Sequence, residues 1–486
     1  MKGQLNNNEN SYRSILKGTS IFGGVQLFQI FINLLRGKFV ALFLGPQGMG
    51  IASLFTSSSN TISNFASLGL NLAFIKEAAA HKDDPHGLAT VMKVVTVLLY
   101  ATAIGGAIIC AILSPWLSIW SFGSADYGWQ YILLSVCVFF TVAGYGKIAV
   151  LQGLRKIKII SISSLMGAAT GLLAGVPLYY FYGTLGIVPS MIVLSLTTFI
   201  CYSLGIKRAL PQKKVRFVWQ SHKPLVKKMI SIGMIMLASS LINTLCTYVL
   251  NIFIRSFGDM ADVGLFNAAN GITIQYAGVV FAAMAMDYFP RLTAASKDHG
   301  LMESIINKQQ EIVALIATPL SILLIATAPI VISLLLTPEF MPSMTLMKWL
   351  GASILLKAIA YPLGYVTLAK DNQKLFFWLE AIICNVLYIG LSLIFYYFYG
   401  LIGLGYAAVI EQAFCVILYL AVNYRAYSFK PGRTASTETI LAIVFCTAAF
   451  CASLAPIEAL SYYLMATVFL ICALRSFLML RNLSLK

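Results

Sequence analysis

Two short stretches decide how this sequence is read: YYFYGTLGI, residues 179–187, and YYFYGLIGL, residues 396–404. The five residues Tyr-Tyr-Phe-Tyr-Gly recur at a distance of 217 positions, and in each copy a second glycine, Gly186 or Gly403, follows after two residues. The repeat is a belt of aromatic rings or the trace of a duplicated chain, and the composition around it supplies the means to decide.

Of the 486 residues, 59% are hydrophobic and only 10% are charged, with a mean hydropathy of +0.84. A water-soluble globule carries about 25% charged residues, so this is a membrane protein. The nine cysteines, Cys384 and Cys415 among them, all fall inside apolar runs and read as small core hydrophobes. His81, His86, His222 and His299 sit in polar stretches without ligand spacing, so neither a metal site nor a cofactor is expected. The polar start lacks a small-residue cleavage pattern and precedes an apolar run too long for a signal-peptide core, so the N-terminus is expected to be retained.

A window of about 20 residues, the length that spans a bilayer as helix, finds fourteen apolar spans, centred near residues 30, 60, 102, 138, 170, 194, 240, 275, 322, 354, 386, 412, 447 and 470. The expected class is an all-α integral membrane protein of fourteen transmembrane helices. Its expected parts are a six-helix bundle over residues 1–206, a basic cytoplasmic linker over 207–225, a second six-helix bundle over 226–427 and two additional helices over 428–486. Loops rich in Lys and Arg stay cytoplasmic. With the N-terminus inside, 29 of the 34 Lys and Arg fall in the tails and in the loops after even-numbered spans, which places both termini in the cytoplasm. The net charge of +17 is then this bias, and no nucleic-acid partner is implied.

On this topology both YYFYG strings end an odd-numbered span at the outer interface, where amphipathic rings settle. Other landmarks keep nearly the same offset. Lys38 in the first span matches Arg255 in the seventh, and KEAAAHKD (residues 76–83) matches RLTAASKD (residues 291–298) with its basic, Ala, Ala, Lys and Asp positions in order. The chain reads as a duplication of six spans followed by two more. Units with an even number of spans both enter from the cytoplasm, which makes them parallel repeats, and carriers of that symmetry hold their cargo between the halves.

The cargo is to be sought in polar residues that the bilayer makes costly. Arg36, Lys38, Arg255, Lys348 and Lys357 lie within spans, where each costs about 2.5–3.5 kcal/mol at a helix centre unless it meets a partner or a cavity. Gln26, Gln29, Asn33 and Arg36 recur at helical spacing, as do Asn60, Asn64 and Asn71 with intervening serines. Asn243, Asn251 and Arg255 with Thr247, and Asn267, Asn270 and Gln275, continue the pattern in spans seven and eight. Interhelical hydrogen bonding explains some of these, but not the cations. Together they suit a cargo with an anionic group and many hydroxyls. Glu380 and Glu411 are the clearest carboxylates within spans, candidates for ion coupling or for a buried pair with Lys357. GPQGMG, residues 45–50, has the glycines of a phosphate loop without its strand or its Lys-Ser/Thr, and reads as an outer hairpin.

GKFVALFLGPQGMGIASLF (residues 37–55), the basic and Ala-rich end of span two, and QGLRKIKIISISSLMGAATGLLAG (residues 152–175) resemble the polysaccharide transporters of the MATE-like superfamily. The resemblance implies a flippase for an undecaprenyl diphosphate-linked oligosaccharide, of the O-antigen or common-antigen type, in the bacterial inner membrane. Its partners would be that lipid-linked substrate, membrane lipids and proteins of polysaccharide assembly. The two added helices look more like those of lipid II flippases, which gives a peptidoglycan precursor as the alternative cargo. A drug or cation antiporter of the same superfamily would need a carboxylate where this chain has Arg36, Lys38 and Arg255. An enzyme acting on the same lipid would need a large outer loop, and the outer turns are short.

Cysteine labelling in cells tests the duplication. Cysteines introduced beside Gly183 and Gly400 should both react from the periplasm, and those beside Lys156 and Lys374 from the cytoplasm; opposite sidedness within either pair would refute parallel repeats.

Overall fold

The structure is a computed structural model that describes residues 2–81, 84–154, 156–209 and 219–484; within helices, the side chains of 2–27 and of short internal stretches including 275–277 and 279–287 are not described. Gln26 and Gln275 of the polar stripes, Lys82 and Asp83 of the second landmark and residues 210–218 of the linker thus lie outside what is described.

Hydrocarbon offers no hydrogen-bond partner to a peptide group, so a chain this apolar satisfies its backbone within helices. All regular structure among the described residues is helical. In order it comprises α1 (Lys2–Ala66), α2 (Leu70–Ala80), α3 (Pro85–Ile112), α4 (Ser114–Phe122), α5 (Gly128–Gly153), α6 (Ile157–Tyr182), α7 (Ile187–Ala209) and α8 (Trp219–Phe257). There follow α9 (Met260–Ala294), α10 (His299–Leu335), α11 (Met344–Ala369), α12 (Gln373–Phe376) running through a π-helical segment (Phe377–Cys384) into α13 (Asn385–Tyr399), α14 (Leu401–Tyr427), α15 (Arg433–Ala452) and α16 (Glu458–Ser484). Among the described residues, ten segments are long and apolar enough to cross a membrane. Two of them, Phe28–Ala66 with 39 residues and Lys158–Arg208 with 51, exceed one bilayer at 1.5 Å per residue. The first is interrupted at Gly45 (φ 62°, ψ −169°) and the second at the 3-10 turn Gly183–Gly186, where the sequence places outer turns.

The chain forms two compact units, Met1–Ser256 and Phe257–Lys486. The division falls one helix later than the linker, because α8 is fastened along its length to the first unit. Near its start, Lys228 pairs at 2.6 Å with Glu77 of α2, whose carboxylate is buried. Val226 and Met229 join the core of Leu70, Phe74, Val91 and Val95. Toward its other end the Tyr248 hydroxyl shares a 2.6 Å hydrogen bond with Ser121, which is bonded at 2.6 Å to Tyr131, which in turn donates to Ser58 at 3.2 Å. All four are buried, so the chain of hydroxyls leaves none of them unsatisfied in the core.

In the second unit α15 and α16 pack on α10 and α11. Ala442, Cys446, Phe450 and Met465 close a core with Val313, Ala314, Leu355 and Ala358. Glu438 of α15, itself buried, pairs with Arg475 of α16 at 2.6 Å, and Asn307 accepts the Gly432 N–H at 2.8 Å where α15 begins.

The two aromatic strings share a pattern of burial and of closing glycine, with different partners for the buried tyrosine. In the first, Tyr179 is buried and bonded to Ser190 at 2.7 Å, while Tyr180, Phe181 and Tyr182 are 67%, 74% and 63% exposed. In the second, Tyr396 is buried and donates to Asp262 at 2.6 Å, while Tyr397, Phe398 and Tyr399 are 64%, 71% and 59% exposed. Each string closes on a glycine of positive φ, Gly183 at φ 56°, ψ −132° and Gly400 at φ 59°, ψ −143°, a region that only glycine occupies readily. Each following glycine leaves no room for a Cβ, which would stand 2.3 Å from the Leu178 carbonyl oxygen at Gly186 and 2.0 Å from that of Phe395 at Gly403.

Alanine substitutions test this reading. At Gly183 or Gly400, with open space around the Cβ position, each should cost about 1–3 kcal/mol of positive-φ backbone strain. Gly186→Ala and Gly403→Ala drive a Cβ into backbone and should lower the thermal midpoint of the purified protein further, each member of a pair behaving like its counterpart.

Candidate functional site

Arg36 and Lys38 lie on α1, six residues or more before the break at Gly45, and both are half-buried. Arg36 lies within electrostatic reach of Cys137 on α5, whose thiol also meets Thr141 at 3.9 Å and the Met191 carbonyl at 3.6 Å. No carboxylate pairs with Arg36 among the described residues. Gln29 is half-buried, and Asn33, one turn before Arg36, is exposed.

Beyond Gly45, Asn60 is exposed and Asn64 and Asn71 are half-buried. The Thr61 hydroxyl contacts the Thr244 carbonyl of α8 at 3.4 Å. On α8, Asn243 and Thr247, which flank Thr244 in sequence, are exposed. An exposed amide on a membrane-spanning helix finds no partner in lipid, so the face that carries it turns toward water, protein or polar cargo. Asn251, lower on the same helix, is buried.

The structure gives Arg255 a different setting from Lys38. It stands in the last turn of α8, and its guanidinium lies over Gly123, donating to the Trp120 carbonyl at 3.4 Å and to Ser256 at 3.0 Å. It thus rests on the C-terminal end of the short helix α4, where carbonyls and helix dipole favour a cation. Gly123 (φ 78°) is required by its left-handed backbone, and a Cβ there would stand 2.5 Å from the end of the Arg255 side chain, which would have to move aside.

Lys147 was counted among loop residues by hydropathy, but it lies inside α5. Its ammonium stands over the Phe199 ring at 5.0 Å and the Tyr100 ring at 5.9 Å, between α7 and α3. Such an arrangement stabilises a desolvated cation by up to about 2 kcal/mol. The signal that could have found it is the aromatic company at Tyr100 and Phe199, which only the packing of three helices assembles.

In the second unit the candidates separate. Lys348 on α11 is buried and donates at 3.1 Å to the carbonyl of Ser453, the residue that ends α15. It is a helix cap between the core and the added pair, and its ammonium is occupied there. Trp349 beside it packs on Phe450 at 4.3 Å. Lys357 is exposed and within electrostatic reach of the buried Glu411. Asn267 donates to the Val263 carbonyl at 2.8 Å within its own helix, and Asn270 is half-buried. Glu380, exposed, accepts a short hydrogen bond from the Tyr419 hydroxyl. The expected ion pair of Glu380 or Glu411 with Lys357 is not formed as a contact among the described residues.

The structure is one of helical units that carry polar and cationic side chains in an apolar chain. Among solved structures the chain is similar to an inward-facing multidrug resistance MATE transporter of the MOP superfamily (TM-score 0.71, 17% identity, 84% of this chain and 98% of that one). It is also similar to the lipid II flippase MurJ in an inward closed conformation (TM-score 0.70, 16% identity, 95% and 99%). Residues 39–345 match the family model described as polysaccharide biosynthesis protein, and the chain belongs to that family. Curated relatives include the lipid III flippase of Escherichia coli (strain K12), 20% identical over 76% of this chain and 88% of that one. A putative O-antigen transporter of Shigella flexneri is 25% identical over 59% and 68%. These relatives are transporters and flippases rather than enzymes.

One substitution separates a structural from a transport role. Lys348→Met removes a charge-assisted hydrogen bond of about 1.5–3 kcal/mol and should lower thermal stability while the folded fraction still transports. A loss of export at unchanged stability would instead return Lys348 to the cargo path.

Proposed function

We propose that this protein is a flippase that moves an undecaprenyl diphosphate-linked oligosaccharide, of the O-antigen or common-antigen type, from the cytoplasmic to the periplasmic leaflet of the bacterial inner membrane by alternating access. In this reading the fourteen spans form two parallel six-helix repeats and an added pair, with both termini cytoplasmic. The observation that carries it is the set of exposed amides on apolar helices of the first unit, Asn33 and Asn60 on α1, which also holds Arg36 and Lys38, and Asn243 on α8.

The physical roles follow from chemistry. A diphosphate is a compact double anion whose oxygens accept from guanidinium and ammonium groups. Arg36 and Lys38 are its proposed ligands, with Lys147 as a third cation in the same unit. Asn60, Asn64 and Asn243 offer both donors and acceptors to sugar hydroxyls. An aliphatic tail needs nothing but lipid beside the bundle. The names of the flippase relatives support the substrate class, and the cationic residues oppose a cationic drug as cargo, since like charge repels it. A lipid II-type precursor remains the second reading, favoured by the 95% of this chain that the MurJ structure covers.

The test is deletion of the gene and complementation with variants. Loss of the protein should leave a lipid-linked glycan on the cytoplasmic leaflet, and its sugar composition identifies the cargo. Arg36→Gln and Lys38→Gln should each cut export at least tenfold with protein level and membrane insertion kept, because removing a charge from a span does not hinder insertion. Full export by both variants, or accumulation of the glycan on the periplasmic side, would overturn the proposal.

A further inference from the structure

The hairpin of α12–α13 and α14 sets a line of reactive side chains face to face in the interior of the second unit. Glu411, Cys415 and Tyr419 follow one another at four-residue intervals on α14, and Glu380 and Cys384 do so on the π-helical segment. Antiparallel packing pairs Tyr419 with Glu380 and Cys415 with Cys384. Cys384, Cys415 and Glu411 are all buried, at 7%, 2% and 6% exposure. The two sulfurs are 2.8 Å apart, and Cys415 donates to Glu411 Oε1 at 3.1 Å. The Tyr419 hydroxyl lies 3.5 Å from the Cys384 sulfur. Two thiols and a carboxylate thus present three ligand atoms within 4.8 Å of one another.

We propose that Cys384, Cys415 and Glu411 form a binding site for a thiophilic divalent metal ion, of the zinc and cadmium class, within the membrane domain. The donor set selects that class, since thiolates with one carboxylate suit a borderline-soft ion and not sodium, magnesium or calcium. Around a tetrahedral ion with bonds of about 2.3 Å to sulfur and 2.0 Å to oxygen, sulfurs stand about 3.8 Å apart and sulfur and oxygen about 3.5 Å. The two sulfurs reach that separation by opening about 1 Å from 2.8 Å, and Cys415 and Glu411 by opening about 0.4 Å from 3.1 Å. The Tyr419 hydroxyl, or a water held by it, is in place for the fourth position.

Two further features of the fold support a ligand there. The helix is π-helical only over Phe377–Cys384, and such segments concentrate at functional sites. Asn385 donates to the carbonyls of Glu380 and Ala381, at 3.0 and 3.2 Å, where the wider turn would leave them short of partners. Glu380 is exposed at the mouth of the cluster, a carboxylate through which a cation can enter, and Lys357 stands within reach to balance the excess negative charge of three anionic ligands around a divalent ion. The site is distinct from the cationic residues assigned to cargo, and it alters the expectation that every cysteine is a plain core hydrophobe.

The experiment uses the full-length protein in detergent, kept reduced with a phosphine, and cadmium chloride as the probe. In a variant whose other seven cysteines are serine, cadmium should bind at one ion per chain with a thiolate-to-metal ultraviolet band, and zinc should displace it. Glu411→Gln should weaken binding at least tenfold, and Cys384→Ser or Cys415→Ser should abolish the band. If the seven-serine variant does not fold, the wild-type chain and its Cys415→Ser variant are compared directly, and the bound cadmium per chain should fall by one. Cys446 and Cys472, also buried but without a carboxylate in contact, provide the control: replacing them should leave the Glu411-dependent ion in place. Absence of a thiolate band, a band that survives Cys384→Ser and Cys415→Ser together, or a Cys384–Cys415 disulfide that resists the phosphine would each overturn the proposal.

Discussion

Everything in this protein depends on the refusal of hydrocarbon to hydrogen-bond. That constraint makes the described regular structure helical, and it sorts the polar side chains by fate. Some bond locally: serines and threonines return their hydroxyls to carbonyls three or four residues back, as Ser58, Thr170 and Thr318 do. Some are drawn into networks, as in the run from Ser58 through Tyr131 and Ser121 to Tyr248. Others cap helix ends, as Lys348 does for α15 and Arg255 for α4. The polar groups left exposed on spans, Asn33, Asn60 and Asn243 foremost, are then the ones with work outside their own helix.

The sorting explains how much of the site was legible. Composition and hydropathy suffice for the membrane class, because they measure the constraint itself. The YYFYG strings were legible as equivalent elements because their roles are local: a buried tyrosine, three exposed rings and a glycine of positive φ occupy consecutive positions. Lys348 was legible as a costly charge but not as a cap, since Ser453 lies 105 residues away. Lys147 was assigned to a loop because a window average moves a span boundary by a turn or two, and its aromatic partners come from two other helices. Arg255 shares an offset with Lys38, yet it belongs to the last turn of its helix, which stops two residues beyond it.

The same logic applies to Cys384 and Cys415. Neither has a neighbour at metal-binding sequence spacing, and each alone is a small apolar residue in an apolar run. Only the four-residue rhythm of Glu411, Cys415 and Tyr419, set against Glu380 and Cys384 across a hairpin folded at Gly400, makes them a group. The rhythm is in the sequence, but the direction that each helix face takes is a property of packing.

The widened turn in that hairpin has a consequence for the ancestry of the chain. Between its first helical residue and the tyrosine before the glycine, α6 runs from Ile157 to Tyr182, 26 residues of ordinary helix. The corresponding stretch from Gln373 to Tyr399 contains the π-helical segment and ends on the same aromatic string. A π turn is what a helix becomes when one residue is added and both ends are held in place. Read as two copies of one ancestral helix, the pair differs by a single added residue, which the π turn absorbs so that the faces on either side of it keep their directions. Alignments of the two halves should therefore carry a one-residue gap between Gln373 and Cys384, with the side chains on both sides of it matching the faces of their counterparts in α6.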